Sequence, residues 1–406
     1  MMELVMQKAR LPALSSCLFF LLSALPLASG SPTLTEDSKC GCFVVNDTEA
    51  SYFTKHKFFD FRGLTQYAGV PATITNPNDS GTAAVTSQYF TSTEWTDTWM
   101  VGNWNNSAGV RKDSSVLMVN SPNNVYIEAN GDRNPTSQTF LTLRTQRLPG
   151  PPEFQTAAEI ESVSGGFRYL SVRMLARTIG SPGAITALFT YRHSDKLAEV
   201  QETDLEIRTK DPRNILHYTN QPSYTEDGDD IAEATQNATM PDGLDWTAWA
   251  VHRLDWTPTT TKWYIDGQQV ANNSFQTPRD ASKVILNAWS DGGEWSGNMT
   301  NFDAAYLQIQ WLDITWNTTD TKPAAKRDVE SELGARHDVG PHGPLLARAT
   351  EQGTCKTVCS IDETTNLGQP VMLWNNGAMR TAGERSSFVS WIPSAAVFAL
   401  FVLSLR

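Results

Sequence analysis

The stretch Gln201-Glu-Thr-Asp-Leu-Glu-Ile207 is the sharpest local pattern in this chain of 406 residues. Successive side chains of a β-strand point to opposite faces, so Glu202, Asp204 and Glu206 would share one face. Strands disfavour acidic residues, and neighbouring carboxylates repel one another unless they face solvent or share protons. The pattern therefore predicts a strand whose acidic face is either an exposed polar surface or a catalytic site.

Short runs with the same period of two recur between about residues 40 and 317, at 116–119, 140–145, 169–176, 184–191 and 262–265. Turn-forming residues separate them, at 130–132, 164–166, 181–183 and 266–267. Long amphipathic helical patterns are absent from the sequence. These features predict one all-β domain, a sandwich or barrel, that is long enough to bury a large core.

The composition is typical of a soluble globular protein, with 40% hydrophobic and 19% charged residues. A net charge of −12 and the lack of a basic patch argue against a nucleic-acid partner. A neutral polysaccharide is compatible with this charge, and the 13 Trp could stack on sugar rings. Trp also fills β-sandwich cores, so the excess alone does not decide the partner.

The N-terminus predicts a secretory signal peptide over residues 1–30. Lys8 and Arg10 precede an apolar run at 11–27 that ends in small residues. The alternative is a retained membrane anchor, but the run is short for a membrane span and contains two prolines.

The C-terminus predicts a glycosylphosphatidylinositol (GPI) anchor signal. Small residues at 376–378 are followed by a polar spacer and an apolar tail at 388–405. Asn376 is the expected attachment residue, with 377–406 as the propeptide. An ordinary membrane span is the alternative, but almost no basic residue follows the tail.

Seven Asn-x-Ser/Thr sequons support secretion and predict surface glycans, at Asn46, Asn78, Asn105, Asn237, Asn272, Asn298 and Asn317. The expected location is the cell surface, through an anchor in the plasma membrane or cell wall.

Four cysteines, Cys40, Cys42, Cys355 and Cys359, remain in the mature chain after Cys17 leaves with the signal peptide. An even number in an oxidising compartment predicts disulfides. They either join the two ends of the chain or close small local loops. A metal site made by the same four residues is the weaker alternative.

The β-sandwich domain is predicted over residues 31–320. A charged, apolar-poor linker and a small cysteine-containing appendage follow at 321–376. Lys326-Arg327 within the linker could be a processing site.

The three acids fit a specific chemistry. Retaining glycoside hydrolysis needs a nucleophilic carboxylate and an acid/base carboxyl about 5–5.5 Å apart. Alternate strand residues lie about 6.8 Å apart at Cα, so Glu202 and Glu206 would have to lean inward. Asp204 between them would raise the neighbouring acid's proton affinity and orient the nucleophile. An inverting mechanism is not excluded by the spacing.

The residues also resemble a known family. Glu202-Thr-Asp204-Leu-Glu206 resembles the Glu-x-Asp-x-Glu signature of glycoside hydrolase family 16, which includes laminarinases and lichenases. Further similar segments are His217-Tyr-Thr-Asn220, Arg253-Leu-Asp-Trp-Thr-Pro258, Trp263-Tyr-Ile-Asp-Gly267 and Leu286-Asn-Ala-Trp-Ser290 with Trp295 beyond it. The likeness covers roughly residues 55 to 316.

The resemblance implies a concanavalin A-like jelly roll of two curved antiparallel sheets, with the glycan across the concave one. It implies that Glu202 is the nucleophile, Asp204 the assisting acid and Glu206 the general acid/base. Thr203 replaces a usual aliphatic residue but should face the core. Where the family often has a His, this chain has Ala250, with His252 two residues later and expected to be structural.

Aromatic and amide side chains are the candidates for sugar binding. Trp289 and Trp295 lie in the segment that resembles the family's groove, and Trp104 lies beside loop-like sequence, as does Trp99. A buried core position is the alternative for each Trp. Two amides, Asn287 and Asn220, could bind sugar hydroxyls or be satisfied turn residues.

The leading hypothesis is a monomeric retaining endo-β-glycosidase that acts on β-1,3- or mixed-linkage glucan. A cell-wall transglycosylase would use the same covalent intermediate. A lectin-like glycan-binding protein and a structural wall protein are the non-enzymatic alternatives. No cofactor is predicted, and no ligand cluster identifies the structural calcium that the family often carries.

Overall fold

The computed structural model describes residues 33–46, 51–106, 113–319 and 355–375. The predicted signal peptide, the linker at 321–350 and the anchor signal lie outside the described residues. Among the described residues, no helix is long and apolar enough to cross a membrane.

Within these ranges the chain is built almost entirely of strands: β1 (Thr33–Leu34), β2 (Cys42–Val45), β3 (Ser51–Phe53), β4 (Lys55–Asp60), β5 (Trp99–Val101), β6 (Asn105–Asn106), β7 (Leu117–Asn120), β8 (Val125–Ala129), β9 (Thr139–Leu148), β10 (Phe154–Ser162), β11 (Phe167–Gly180), β12 (Ile185–Arg192), β13 (Gln201–Arg208), β14 (Ile215–Gln221), β15 (Thr235–Thr239), β16 (Ala250–Trp256), β17 (Thr261–Ile265), β18 (Gln268–Asn273), β19 (Lys283–Trp289), β20 (Ala304–Thr318), β21 (Thr357–Ser360) and β22 (Val371–Asn375). The helical elements are a single α-helical turn, α1 (Thr93–Thr96), and short 3-10 helices at Asp37–Lys39, Thr65–Tyr67, Pro77–Thr82, Gln88–Thr91, Pro122–Asn124, Leu197–Glu199, Ala232–Ala234 and Pro241–Gly243.

Two large sheets form the body of the molecule. Sheet I has the antiparallel order β15-β14-β13-β12-β19-β10-β5. Sheet II runs β18-β17-β16-β11-β20, and β20 then pairs with both β4 and β9. Strand β9 also pairs with β8 and β10, and β7 pairs with β6 and, in parallel, with β10. Strand β10 therefore belongs to both sheets.

The main core lies between the two sheets. Sheet I contributes alternate residues such as Leu188, Leu205 and Leu286, and sheet II contributes residues such as Val172 and Leu254; all are fully buried or nearly so. The period of two in the sequence places these apolar side chains on the inner faces. The predicted all-β sandwich and each of the predicted strands are confirmed.

The predicted turn at 266–267 is also present, as the two-residue connection between β17 and β18. Asp266 has φ 47° and Gly267 has φ 80°. Asp-Gly suits such a hairpin because both positions adopt positive φ, which Gly reaches without steric cost.

A third, five-stranded sheet joins the two ends of the described chain in the order β1-β22-β21-β2-β3; we call it the terminal sheet. Within the described residues two disulfides hold it, Cys40–Cys359 and Cys42–Cys355. Of the two arrangements that the sequence left open, the cysteines therefore join the ends of the chain, and they form no metal site.

The terminal sheet packs against the face of sheet II that points away from the core. Arg173 of β11 donates to Asp362, which follows β21, over 2.5 Å. His56 of β4 lies between Asp37 (2.6 Å) and Asp313 of β20 (3.0 Å). The Arg173–Asp362 pair, which has little solvent exposure, and the more exposed His56–Asp37 pair thus join the terminal sheet region to the sandwich.

Candidate active site

The acidic face of β13 lies on the side of sheet I that points away from the core; we call this side the open face. Glu202 and Glu206 are half-buried, whereas Asp204 is only 3% exposed. Thr203 and Leu205 face the core, as the alternation predicts. Because β13 lies between β12 and β14 in the sheet, the acids are not on an edge strand.

The environment of Asp204 favours the protonated form of its carboxyl group. Burial raises its pKa well above the usual value, the charges of Glu202 and Glu206 raise it further, and so does a hydrogen bond with Glu202. A hydrogen bond from Gln221 on β14 acts in the opposite direction. A protonated Asp204 can donate to the Glu202 carboxylate, which removes one of three mutually repelling charges.

Glu206 accepts a hydrogen bond from Trp295 Nε1 at 3.1 Å. The Trp295 ring is half-buried and meets the ring of His217 edge-on, with 5.4 Å between centroids. His217 is the β14 partner of Glu206 in the strand register. The predicted groove residue Trp295 therefore lies directly beside one of the predicted catalytic acids.

A row of paired residues crosses sheet I from Glu206 through Ala187 and Asn287 to Glu159 of β10. Glu159 is 6% exposed and accepts from Trp104 Nε1 at 2.6 Å. Burial raises its pKa to about 7, although hydrogen bonds from Trp104 and Asn287 lower it. The small Ala187 side chain leaves the floor of the open face low between Glu206 and Asn287.

The structure thus brings most of the predicted sugar-binding residues to the open face. Trp104 is 41% exposed, and Trp289 and Asn287 are half-buried on β19 with the same orientation. Exposed or half-exposed indole rings beside a polar floor are a surface on which sugar rings can stack.

One predicted sugar-binding residue does not lie there. Asn220 has the opposite orientation on β14 and is fully buried. It donates to the Phe275 carbonyl at 2.8 Å and accepts from Thr261 Oγ1 at 3.0 Å. The prediction for Asn220 is wrong, because the strand period turns this amide towards sheet II.

Trp99 is also a core residue rather than a half-exposed one. It is 1% exposed and packs against Phe59, with 5.9 Å between ring centroids. His252 is structural, as expected: it is 1% exposed, and burial lowers its pKa to about 4.

Three residues of the open face were missed from the sequence. Glu159 occupies an alternating run, Ala157-Ala158-Glu159-Ile160-Glu161, whose two acids on one face were a usable signal. Gln221 and Tyr191 are the two register partners of Glu202, so only the strand pairing identifies them.

Within the described part of the chain, no group of three or more His, Cys, Asp or Glu side chains is placed to hold a metal ion.

Comparison with known proteins gives a family. Residues 115–312 match the family model "Glycosyl hydrolases family 16". The family resemblance drawn from the sequence motifs is confirmed by this match, which contains the whole of β13.

Curated relatives include a β-glucanase of Bacillus subtilis, 27% identical over 154 residues, which are 37% of this chain and 59% of that protein. A β-glucanase of Bacillus amyloliquefaciens is 26% identical over 151 residues, 36% of this chain and 58% of that protein. The chain therefore spans less than two thirds of the length of these relatives.

Solved structures with a similar arrangement include the Bacillus licheniformis β-glucanase, with 22% identity and a TM-score of 0.42 over 54% of this chain and 92% of that one. The laminarinase catalytic domain of Thermotoga maritima has 17% identity and a TM-score of 0.41, over 54% of this chain and 91% of that one.

Proposed function

Because the chain carries a glycosyl hydrolase family 16 domain, we propose that it is a retaining endo-β-glucanase acting on β-1,3- or mixed-linkage glucan. Glu202 is the nucleophile, Asp204 its protonated neighbour, and Glu206 the general acid/base. The observation that carries the proposal is the arrangement on β13, where a buried Asp204 with a raised pKa lies between two half-buried glutamates. Sugar binding alone has no use for such a costly arrangement.

The reaction proceeds in two displacements. A Glu202 oxygen attacks the anomeric carbon while Glu206 gives its proton to the departing glycosidic oxygen, so one C–O bond forms and another breaks. Glu206, now a carboxylate, takes a proton from water as that water attacks the same carbon. The sugar–Glu202 bond breaks, and both glutamates return to their starting states.

Asp204 assists Glu202 without reacting itself. Its carboxyl group is hydrogen-bonded to Glu202 in the free protein, and this bond raises the pKa of Asp204. That bond orients the attacking oxygen and then stabilises Glu202 again as a leaving group in the second step.

The sugar chain would lie across the strands of sheet I. Trp104 and Trp289 offer ring faces for stacking, and Asn287 and Glu159 offer polar groups to sugar hydroxyls. Two curated relatives are described as β-glucanases, which supports a β-glucan as the substrate.

Transfer is the second candidate outcome. A sugar hydroxyl in place of water would intercept the same Glu202 intermediate and give a transglycosylase. We also propose that the protein works as a monomer at the cell surface, secreted by the signal peptide and held by the GPI anchor. The predicted N-glycans would lie on the same secreted protein.

The test is product analysis on laminarin, lichenan and defined β-gluco-oligosaccharides. The proposal expects shorter products with retained anomeric configuration at early times, and longer products if transfer occurs. Glu202→Gln and Glu206→Gln should lose this activity, whereas the exposed Glu199→Gln serves as the matched control. If no β-glucan is cut or re-spliced, and both glutamine variants bind glucan as the parent does, the protein is a binding module and the proposal is wrong.

A further inference from the structure

We propose that Arg208, Asp211 and His217 are positioning residues that hold the Trp295 indole as a hydrogen-bond donor to Glu206. The indole then assists the general acid/base in addition to contacting sugar. This inference rests on the proposed function, since it concerns the role of Glu206 in that reaction.

The Trp295 ring is held on two sides. The Arg208 guanidinium carbon lies 4.2 Å from the ring centroid, and His217 meets the ring edge-on at 5.4 Å. A guanidinium over an indole face is attracted by the ring quadrupole. The third contact is the bond from Trp295 Nε1 to Glu206 Oε2, at 3.1 Å.

Asp211 links the two holding groups. Its Oδ2 accepts from Arg208 Nε at 2.7 Å and lies 2.6 Å from His217 Nε2. The side chains of Arg208 and Asp211 are 17% and 15% exposed, and that of His217 is 5% exposed. Arg208, Asp211, His217 and Trp295 thus form a closed ring of contacts beside Glu206, which we call the indole cage.

The protonation states in the cage suit this role. Burial opposes ionisation of Asp211, but hydrogen bonds from Arg208 and His217 outweigh it and lower its pKa. Burial lowers the pKa of His217, which keeps the ring neutral near pH 7. A neutral His217 donates to Asp211 through Nε2 and brings no second cation to Trp295.

The indole bond changes strength during the reaction. Trp295 Nε1–H can only donate, so its partner oxygen on Glu206 must accept. When Glu206 gives up its proton, the bond becomes charge-assisted and therefore stronger. A donor aimed at charge that develops in the transition state accelerates that step.

Two other acids, Glu202 and Asp204, share the face of β13 with Glu206, and both are unchanged in the variants chosen below. In the turn after β13, the exposed Lys210 donates to the backbone carbonyl of Glu294 in the Trp295 loop, and both residues are also unchanged. On β12 the facing residue is Ala187, which does not titrate.

The test is the pH dependence of kcat on a β-gluco-oligosaccharide. In Trp295→Phe a ring stays but the N–H is lost, so the carboxylate form of Glu206 is less favoured. We expect the alkaline limb of kcat to move up by about one pH unit and kcat to fall roughly tenfold, with KM changed less. Arg208→Met should shift the limb in the same direction, and Arg208→Lys, which keeps a cation over the ring, should restore most of it.

The matched control is Trp104→Phe, which removes an indole N–H bonded to a different carboxylate, Glu159. It should change KM and leave the alkaline limb of kcat in place. If Trp295→Phe and Arg208→Met lower kcat uniformly at all pH values, the cage is merely structural and the inference is wrong. If the parent protein cuts no β-glucan, the proposed function itself has failed.

Discussion

The open face of sheet I and the opposite side of the molecule, where the terminal sheet packs, treat carboxylates in contrasting ways. On the open face, Glu202, Asp204 and Glu206 stand side by side, and burial and the two neighbouring acids raise the pKa of Asp204. Under the terminal sheet, Asp362 is bonded to Arg173 and Asp313 to His56. The paired carboxylates stabilise the fold, whereas crowding of the other three costs stability and is expected only where the acids serve the proposed reaction.

The largest expected effect is on catalysis at the open face. Glu202→Gln should lower kcat/KM on β-glucan by a factor on the order of 10³–10⁵, because no other group can form the covalent intermediate. Hydrolysis rates measured with the parent and with Glu199→Gln provide the comparison. Near-parental activity in the glutamine variant would contradict the assignment of Glu202.

Asp204→Asn should separate activity from stability. We expect kcat to fall about 100-fold, because the amide N–H is a weaker hydrogen-bond donor to the Glu202 carboxylate than the carboxylic acid O–H. The pKa of Asp204 is higher in the folded protein than in the unfolded chain, where it has its usual value. The free energy of unfolding therefore falls as the pH rises from the usual pKa towards the raised one.

Asp204→Asn removes this pH-dependent loss of stability, because the amide does not ionise. Thermal unfolding at pH 7 should therefore show a higher Tm for Asp204→Asn, by roughly 2–4 °C, and little difference at pH 3. A lower Tm for Asp204→Asn than for the parent at pH 7 would show that the buried Asp204 does not destabilise the folded protein.

Under the terminal sheet, where each carboxylate has a cationic partner, we expect a substitution to lower stability and to leave activity unchanged. Asp362→Ala leaves the nearly buried Arg173 without its carboxylate and should lower the free energy of unfolding by about 2–3 kcal/mol. Chemical denaturation measures this loss, and kcat on β-glucan at 25 °C should stay within twofold of the parent. A large loss of kcat would show that the two sides are coupled.

The smallest effect concerns His56. Burial opposes its charge, but the bonds to Asp313 and Asp37 outweigh burial and raise its pKa to about 9. Its contribution is fully present below about pH 6.5 and is lost as pH rises through about 9. The parent should therefore lose about 2 kcal/mol between pH 7 and 10, and His56→Gln should lack this pH-dependent loss in denaturation curves.

Much of the fold was predictable because it follows local rules. The period of two identified β9, β11, β12 and β17, and Asp266-Gly267 identified a hairpin. The same period already placed Glu202, Asp204 and Glu206 on one face. It also could have excluded Asn220, which is an odd number of residues from the groove-facing His217.

What the sequence could not supply was the pairing between distant strands. Glu159 comes into line with Glu206 only through β12 and β19, and Trp295 reaches Glu206 from a loop 89 residues away along the chain. The pairing of the four cysteines could not be predicted for the same reason, because two closely spaced cysteines at each end of the chain are compatible with several disulfide connectivities.

The two disulfides between the ends of the chain have a consequence for proteolysis. Cys40–Cys359 and Cys42–Cys355 both bridge residues 320–354. A protease that cuts anywhere in that interval, including at Lys326-Arg327, would produce two polypeptides that remain one covalent molecule. Such a cut would be invisible on a non-reducing gel and would separate the pieces only under reduction, so processing and release of the C-terminal piece are distinct chemical events.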